Sequence, residues 1–495
     1  MKSLLSRILT LGLFTALSVM SQAQMPSQFD GRWWLGMLEE ASLPLNITFD
    51  KDSSDAVSPV LYSPVQSAEP MHPSSWSFSN DTLRMQLKDI GLKMTLAYKP
   101  ADSVFAGRFK QGLLVTDITF KPTQGLFKLN RPQEPQPPFP YSEQRLVLKH
   151  KDGRGEMINV GVTLTLPKEL KTQNLKLKTQ NVPCVLMVSG SGMQNRDEEL
   201  LGHKPFLVIS DYLARNGIAS LRYDDRGTGE STGDIKSVTT DDLADDAKWL
   251  FNWLRKQPGI DANRVGIVGH SEGGCIAPMI ASRNRKVAFI VMLAGPGIDG
   301  GEILRLQNRD LYLADGVDSS LVAMRDAFLK DCFDALPKHK DSELDSIFKT
   351  FASQHSKGLS KADRKKVGLT VYEASQMAQQ MQIPWMRRFI ELSPADYLKK
   401  VRCPALALNG SKDLQVSASE NLSAISKSVK AELLTTKQFD GLNHLFQHCD
   451  TGLPSEYMLI EETISPEVLD FMTHWILTTN HRPLTTDYRP LTTDH

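Results

Sequence analysis

Apolar and polar residues alternate with a period of two along the first quarter of the chain. Leu43–Phe49, Leu83–Leu87, Leu92–Leu96, Phe105–Phe109 and Leu114–Phe120 each carry one apolar face, with turn residues between them. A period of two puts successive side chains on opposite faces of a strand. It predicts antiparallel strands forming a small β-sandwich or barrel over residues 24–130. Residues 131–140, with Pro-Gln-Glu-Pro-Gln-Pro-Pro-Phe-Pro from 132, then read as a stiff interdomain linker.

The pattern changes after Tyr141. Arg145–His150 and Asn159–Leu166 predict a hairpin around a Gly-containing turn. Apolar runs at Cys184–Val188, Ile218–Tyr223, Val265–Val268 and Val287–Leu293 then alternate with amphipathic stretches such as Phe206–Arg215 and Asp241–Arg255. Continuous Val/Ile/Leu strands separated by helices predict a mostly parallel sheet covered on both faces. From about 300 to 400 the chain is charged and helical in pattern, as expected of a cap inserted over the strand ends. Alternation resumes with a strand at Ala405–Leu408, a helix near Ala418–Ser426, a strand at Ala431–Thr435 and a helix at Pro466–Leu477, giving an α/β domain over 141–480. The tail, 481–495, repeats Arg-Pro-Leu-Thr-Thr-Asp and is predicted to be disordered.

Length and charge narrow the picture. A chain of 495 residues exceeds what one core holds, so several domains are expected. Its 57 basic and 57 acidic residues cancel, which gives no reason to expect nucleic acid or an anionic membrane as partner. Residues 1–23 have the order of a signal peptide: Lys2 and Arg7, an apolar run over Ile8–Met20, then the small-x-small site Ser21-Gln22-Ala23. The run is short of the roughly 20 residues a transmembrane helix needs. The expectation is export to the periplasm or medium, with no integral membrane segment after cleavage. No Cys follows the run to carry a lipid anchor, and five cysteines of odd count suggest no disulfide framework. There is no CxxC or HExxH, and His444 and His448 four apart do not by themselves make a metal pair. No metal or other cofactor is expected.

Two segments match G-x-S-x-G, and context separates them. Gly269-His270-Ser271-Glu272-Gly273 follows the buried strand pattern Arg264–Val268 and precedes Gly274-Cys275-Ile276-Ala277, a helix start built from small residues. A nucleophilic serine needs this sharp strand-to-helix turn, where small neighbours avoid backbone clashes and helix N–H groups face developing negative charge. Gly229-Glu230-Ser231-Thr232-Gly233 sits in a loop without a helix behind it. Ser271 is therefore the candidate nucleophile.

Ser189-Gly190-Ser191-Gly192-Met193 ends another strand, and its glycines let backbone N–H groups approach a carbonyl oxygen. One oxyanion donor is expected from Ser191, Gly192 or Met193 and a second from Glu272, the residue after the nucleophile. Asp413, after strand 405–408, is the candidate triad acid, ahead of Asp440. His444 in Gly441-Leu442-Asn443-His444 is the candidate base, ahead of His448. The order Ser271, Asp413, His444 is that of the α/β-hydrolase fold. Trp385 is a candidate for lining the acyl pocket, with core packing equally open. The Asp224-Asp225-Arg226 run and Asn195-Arg196-Asp197 read as turn-bracing ion pairs, and Trp33-Trp34 as β-domain core.

Together the Gly-Ser-Gly strand end, Tyr-Asp-Asp-Arg-Gly, Gly-His-Ser-Glu-Gly-Gly, Leu-Asn-Gly-x-Lys-Asp-Leu-Gln-Val and Leu-Asn-His-Leu-Phe resemble bacterial α/β-hydrolases similar to the EstD-type carboxylesterases, over about Tyr141–Leu477. The resemblance implies a β-rich N-terminal domain and hydrolysis of a small acyl ester through Ser271, Asp413 and His444. Where such proteins often carry Glu before the Lys of the acid loop, this chain has Ser411. Two alternatives stand beside a serine carboxylesterase. One is a serine peptidase of the prolyl-peptidase type, which shares triad and fold; the other is a non-catalytic binding protein on a hydrolase scaffold.

Overall fold

The computed structural model describes residues 25–479 apart from 39–42, 52–56, 66, 113 and 169–180. The expected signal peptide (1–23) and disordered tail (481–495) lie outside the described residues. The chain divides into two compact units between Lys128 and Leu129.

The first unit is a nine-stranded antiparallel sheet. Its strands are β1 (Trp33–Leu38), β2 (Leu43–Lys51), β3 (Val57–Ser63), β4 (Ser67–Met71), β5 (Ser75–Ser79), β6 (Thr82–Leu87), β7 (Leu92–Lys99), β8 (Val104–Gln111) and β9 (Leu114–Thr123), in the order β4-β3-β2-β1-β9-β8-β7-β6-β5. The two-residue period fixes the register: Leu83, Met85 and Leu87 of β6 lie opposite Leu96, Met94 and Leu92 of β7, all buried. The sheet is curled. β2 and β8 are separated by two strands, roughly 14 Å in a flat sheet, yet the rings of Phe49 and Phe105 lie 5.6 Å apart. Trp34 fills the space between them, while Trp33 stacks outside the core on Tyr62.

The second unit holds an eight-stranded mixed sheet of β10 (Tyr141–Lys151), β11 (Met157–Pro167), β12 (Val182–Val188), β13 (Ala219–Tyr223), β14 (Ile260–His270), β15 (Ile290–Leu293), β16 (Ala405–Gly410) and β17 (Leu434–Phe439). Their order is β10-β11-β13-β12-β14-β15-β16-β17. β10–β11 and β11–β13 pair antiparallel and the other neighbours pair parallel. Alternate residues of the buried strands enter two cores. Cys184, Leu186, Ile267, Ile290 and Ala405 pack under α2 (Thr240–Leu254), α3 (Glu272–Arg283) and α11 (Ala418–Ser428). Val185, Met187, Val268, Val291 and Leu406 pack under α1 (Pro205–Arg215) and α13 (Pro466–Thr478). β12 lies between β13 and β14, so the chain leaves it first to one side and then to the other. The crevice at its C-terminal end is where ligands bind in open α/β sheets.

Helices α4 (Gly300–Ala314), α5 (Ser319–Ala335), α6 (Asp341–His355), α7 (Lys361–Lys366), α8 (Val371–Gln380), α9 (Pro384–Ile390) and α10 (Ala395–Leu398) are inserted between β15 and β16, and several share a core around Phe328, Leu344, Phe348 and Met377. A short helix, α12 (Pro454–Tyr457), precedes α13.

Two departures from the sequence expectation bear on the second unit. The strand expected at 431–435 begins at Leu434 and runs to Phe439, after a 3-10 turn at Ala431–Leu433. It is the sheet's edge strand, so Thr435, Thr436, Lys437 and Gln438 carry no continuous apolar signal. The proline-rich segment begins as part of the second unit. Arg131 donates to the carbonyls of Leu201, Gly202, Met458 and Ile460, and the Gln133 side chain bonds Thr463 and Ile464.

Candidate active site

Ser271 stands between β14 and α3 with φ 52° and ψ −118°, a conformation that costs a non-glycine residue about 1–3 kcal/mol. Packing enforces it. A side chain at Gly269 would overlap the carbonyl of Gly273, and one at Gly273 would overlap the carbonyl of Val188 at the end of β12. The serine amide donates to Leu293 O at 2.9 Å and its carbonyl accepts from Gly274 N at 2.9 Å. The side chain is thereby presented to a cavity of about 260 Å3, with the free N–H groups of the first turn of α3 behind it.

His444 lines the same cavity. Its Nδ1 lies 2.8 Å from Asp413 Oδ2, and both side chains are almost wholly buried. The proton on Nδ1 points at the carboxylate, which leaves Nε2 as the basic nitrogen. Asp413 Oδ1 accepts from the amides of Gln415 and Val416, each at 2.8 Å, which fixes the carboxylate against the imidazole. Ser411 ties the Asp413 loop to the His444 loop. Its hydroxyl donates to Asp440 and accepts from Gly441 N. The rivals are placed elsewhere. Asp440 is exposed on Ser411, His448 faces outward on Glu462, and Ser231 Oγ donates to Asp224 O and accepts from Gly161 N.

The opposite wall is the 189–193 loop. Gly190 N donates to Glu198 Oε1 at 2.6 Å and is thereby committed. Of the remaining candidates Ser191 lines the cavity, whereas Gly192 and Met193 are not among its lining residues and Met193 is exposed. Glu272, whose amide heads α3, has a buried side chain that accepts from Thr240 Oγ1 at 2.6 Å and from Trp385 Nε1 at 2.9 Å. Burial pushes its carboxyl up, opposed by hydrogen bonds from Thr240, Trp385 and Ser191. Trp385 lines the cavity, stacks on Phe389 and joins the cap to the nucleophile helix.

Sequence reasoning missed a pair that joins the two walls. His270 Nδ1 lies 2.9 Å from Glu198 Oε1, and its Nε2 lies 3.0 Å from His444 O. One carboxylate oxygen thus holds the oxyanion loop through Gly190 and the base loop through His270. Burial disfavours a charged His270, but Glu198 and the His444 carbonyl outweigh it and raise its pKa. His270 was in plain view inside the elbow motif; nothing in the sequence pairs it with a residue 72 positions away.

The Asp and Arg runs make pairs between elements rather than within their turns. Asp224 pairs with Arg196, and Arg226 with Asp152 and Asp246. Asp225 is buried behind the oxyanion loop, where its Oδ2 accepts from Ser189 Oγ at 2.9 Å and Gln194 N at 3.1 Å. Burial pushes its carboxyl up to about 8 against those hydrogen bonds, with Glu272 and Glu198 adding to the rise.

A sheet in this order, helices on both faces and a serine on the turn after β14 define the α/β-hydrolase superfamily, and the chain is a member of it. Within it the chain belongs to the family described as X-Pro dipeptidyl-peptidase (S15 family), which matches residues 154–446, more than half its length. It resembles the esterase EstD of Thermotoga maritima, 25% identical over 299 residues that cover 60% of this chain and 62% of that protein. It also resembles the polyketide transferase claH of Penicillium crustosum, 26% identical over 142 residues, 27% of this chain and 44% of that one. The chain thus spans less than two thirds of either relative. Among solved structures, ferulic acid-bound Est1E from Butyrivibrio proteoclasticus aligns at 16% identity and TM-score 0.37, over 68% of this chain and 100% of that chain.

Asp225 yields a pH prediction. Between the ordinary carboxyl value of 3.8 and about 8, the folded protein holds a proton that the unfolded chain has lost. Stability therefore falls as pH rises through that window and stops falling from this cause above it. Asp225→Asn removes the titration. Its thermal midpoint should decline less than that of the wild type from pH 5 to 8, with the gap constant above about 8. Parallel curves across the window would contradict the assignment.

Proposed function

We propose that the protein is a serine carboxylesterase that hydrolyses short-chain acyl esters through an acyl-enzyme. The observation that carries this reading is the strained Ser271, set at the head of α3 on the same cavity as a histidine already bound to a buried carboxylate. Ser271 attacks the ester carbonyl while His444 Nε2 takes its proton, and Asp413 holds the imidazole and balances its charge. The amides of Glu272 and the 189–193 loop, with Ser191 the favoured loop donor, donate hydrogen bonds to the oxyanion. Each such donor contributes roughly 3 kcal/mol to transition-state stabilisation. His444 then returns the proton to the leaving alcohol and activates the water that releases the acid. The modest cavity and its apolar wall of Ile303, Leu304, Trp385 and Leu445 favour a small acyl group.

The family match favours a second reading, an X-Pro peptidase. Removing an N-terminal dipeptide requires an acid to hold the substrate's cationic amine. Among the described residues Glu198 is the one acid that lines the cavity; its Oε1 is engaged by Gly190 and His270, and its Oε2 is buried without a hydrogen-bond partner. The ester reading needs no acid to hold a cationic amine. Hydrolysis of p-nitrophenyl esters from acetate to laurate should peak at short chains and vanish in Ser271→Ala, with aminoacyl-proline p-nitroanilides cleaved far more slowly. Faster cleavage of the anilides would reverse the two readings.

We also propose that the enzyme acts outside the cytoplasm, on the strength of its N-terminal charge, apolar run and small-x-small site. Protein recovered from periplasm or medium should begin at Gln24. Full-length protein retained inside the cell would contradict export.

A further inference from the structure

A second cavity, of about 200 Å3, lies in the cap and shares Leu304 and Gln307 with the wall of the active-site cavity. These two residues sit one turn apart on α4, and Gln307 is held across the active-site side by a long hydrogen bond, 3.4 Å, to Gln415. The second cavity is apolar and rich in sulfur: Leu311, Leu329, Phe333, Met377, Met381 and Met386 form most of its lining. Thioether side chains of this kind adapt to an extended apolar ligand.

One charged side chain also lines it. Arg325 of α5 donates from Nε to Asn308 Oδ1 at 3.3 Å and from Nη1 to Gly368 O at 2.8 Å, with its guanidinium 5.4 Å from the Phe328 ring centroid. Both acceptors are neutral, and no carboxylate pairs with Arg325 among the described residues. Burial pulls its pKa down, with only weaker opposing influence from Tyr312, Cys332 and Glu373. Nearby arginines are treated differently: Arg305 pairs with Glu302 and Asp326, and Arg387 with Asp341. Arg325 is half-buried, has no carboxylate partner among the described residues, and keeps the guanidinium N–H donors not spent on Asn308 and Gly368 for an anion.

We propose that this cavity is the subsite for the leaving-group half of the substrate: an alcohol whose apolar chain runs past Leu304 and Gln307 and ends in a carboxylate paired with Arg325. The proposal rests on the esterase reading and names its substrate class. A short acyl group sits at Ser271, and the long, anionic part of the ester lies in the cap.

The test compares ω-acetoxyalkanoates of increasing chain length with their terminal primary amides, following acetate release by wild type and Arg325→Gln. In the wild type, kcat/KM should rise with chain length for the acids and exceed that of the matching amides by at least about tenfold, the scale of one charge-assisted hydrogen-bonded pair. Arg325→Gln should bring the ratio close to one, mainly through KM, while p-nitrophenyl acetate turnover stays unchanged. Arg325→Lys should restore part of the preference. Equal rates for acid and amide in the wild type would overturn the proposal without any variant, and leave the esterase reading intact if p-nitrophenyl acetate is cleaved. If no ester is cleaved, calorimetric binding of 8-acetoxyoctanoate to Ser271→Ala, with and without Arg325→Gln, decides the subsite separately. Binding lost with Arg325 supports it, and binding unchanged or absent removes it.

Discussion

Val188 at the end of β12 and Gly269 near the end of β14 are partners in register, and the turn that follows brings Gly273 against the Val188 carbonyl with no room for a side chain. That backbone contact is the constraint on which the site is built. It forces the chain over sharply at Ser271, sets the positive φ, and starts α3 with its free amides toward the cavity. The same two strand ends carry the 189–193 loop and the nucleophile side by side. Sheet register therefore sets the 189–193 loop and the Ser271 side chain next to each other, as the proposed chemistry needs.

Electrostatics complete the frame. Glu198, Asp225 and Glu272 are all buried around the nucleophile, and each is held by hydrogen bonds to a different part of the site. Glu198 with His270 fastens the oxyanion loop to the base loop. Glu272 with Trp385 fastens the cap to the nucleophile helix, and Asp225 with Ser189 fastens the loop from behind. Burial pushes the Asp225 and Glu272 carboxyls up, while Glu198 and the His444 carbonyl outweigh burial and pull His270 toward its charged form. The arrangement gives up stability for fixed geometry, a common balance near reactive groups.

Much of this was legible in the sequence, and what was not shares a physical cause. Buried central strands announce themselves as apolar runs, so β12, β14, β15 and β16 are readable, and so are the turns that carry Ser271, Asp413 and His444, each a few residues beyond a strand. β17 is displaced from its expected position because an edge strand needs no continuous apolar run. β1, β3, β4 and β5 carry no strand expectation; in β3 and β5, Ser58, Pro59, Ser75 and Ser77 break the pattern. The proline-rich segment reads as a stiff interdomain linker because composition reports stiffness; its docking through Arg131 depends on carbonyls some 70 and 330 positions away. The Glu198–His270 pair and the Arg325 cavity are hidden for the same reason: both are long-range juxtapositions that leave no trace in local spacing.

The most direct measurement of whether this geometry makes a nucleophile is covalent capture. Folded protein is incubated with a fluorophosphonate ester, then examined by intact mass and peptide mapping. The predicted result is a single adduct on Ser271, absent in Ser271→Ala and slowed by orders of magnitude when His444 is replaced by alanine. An unmodified protein shown to be folded, or an adduct on Ser231 instead, would contradict Ser271 as the nucleophile.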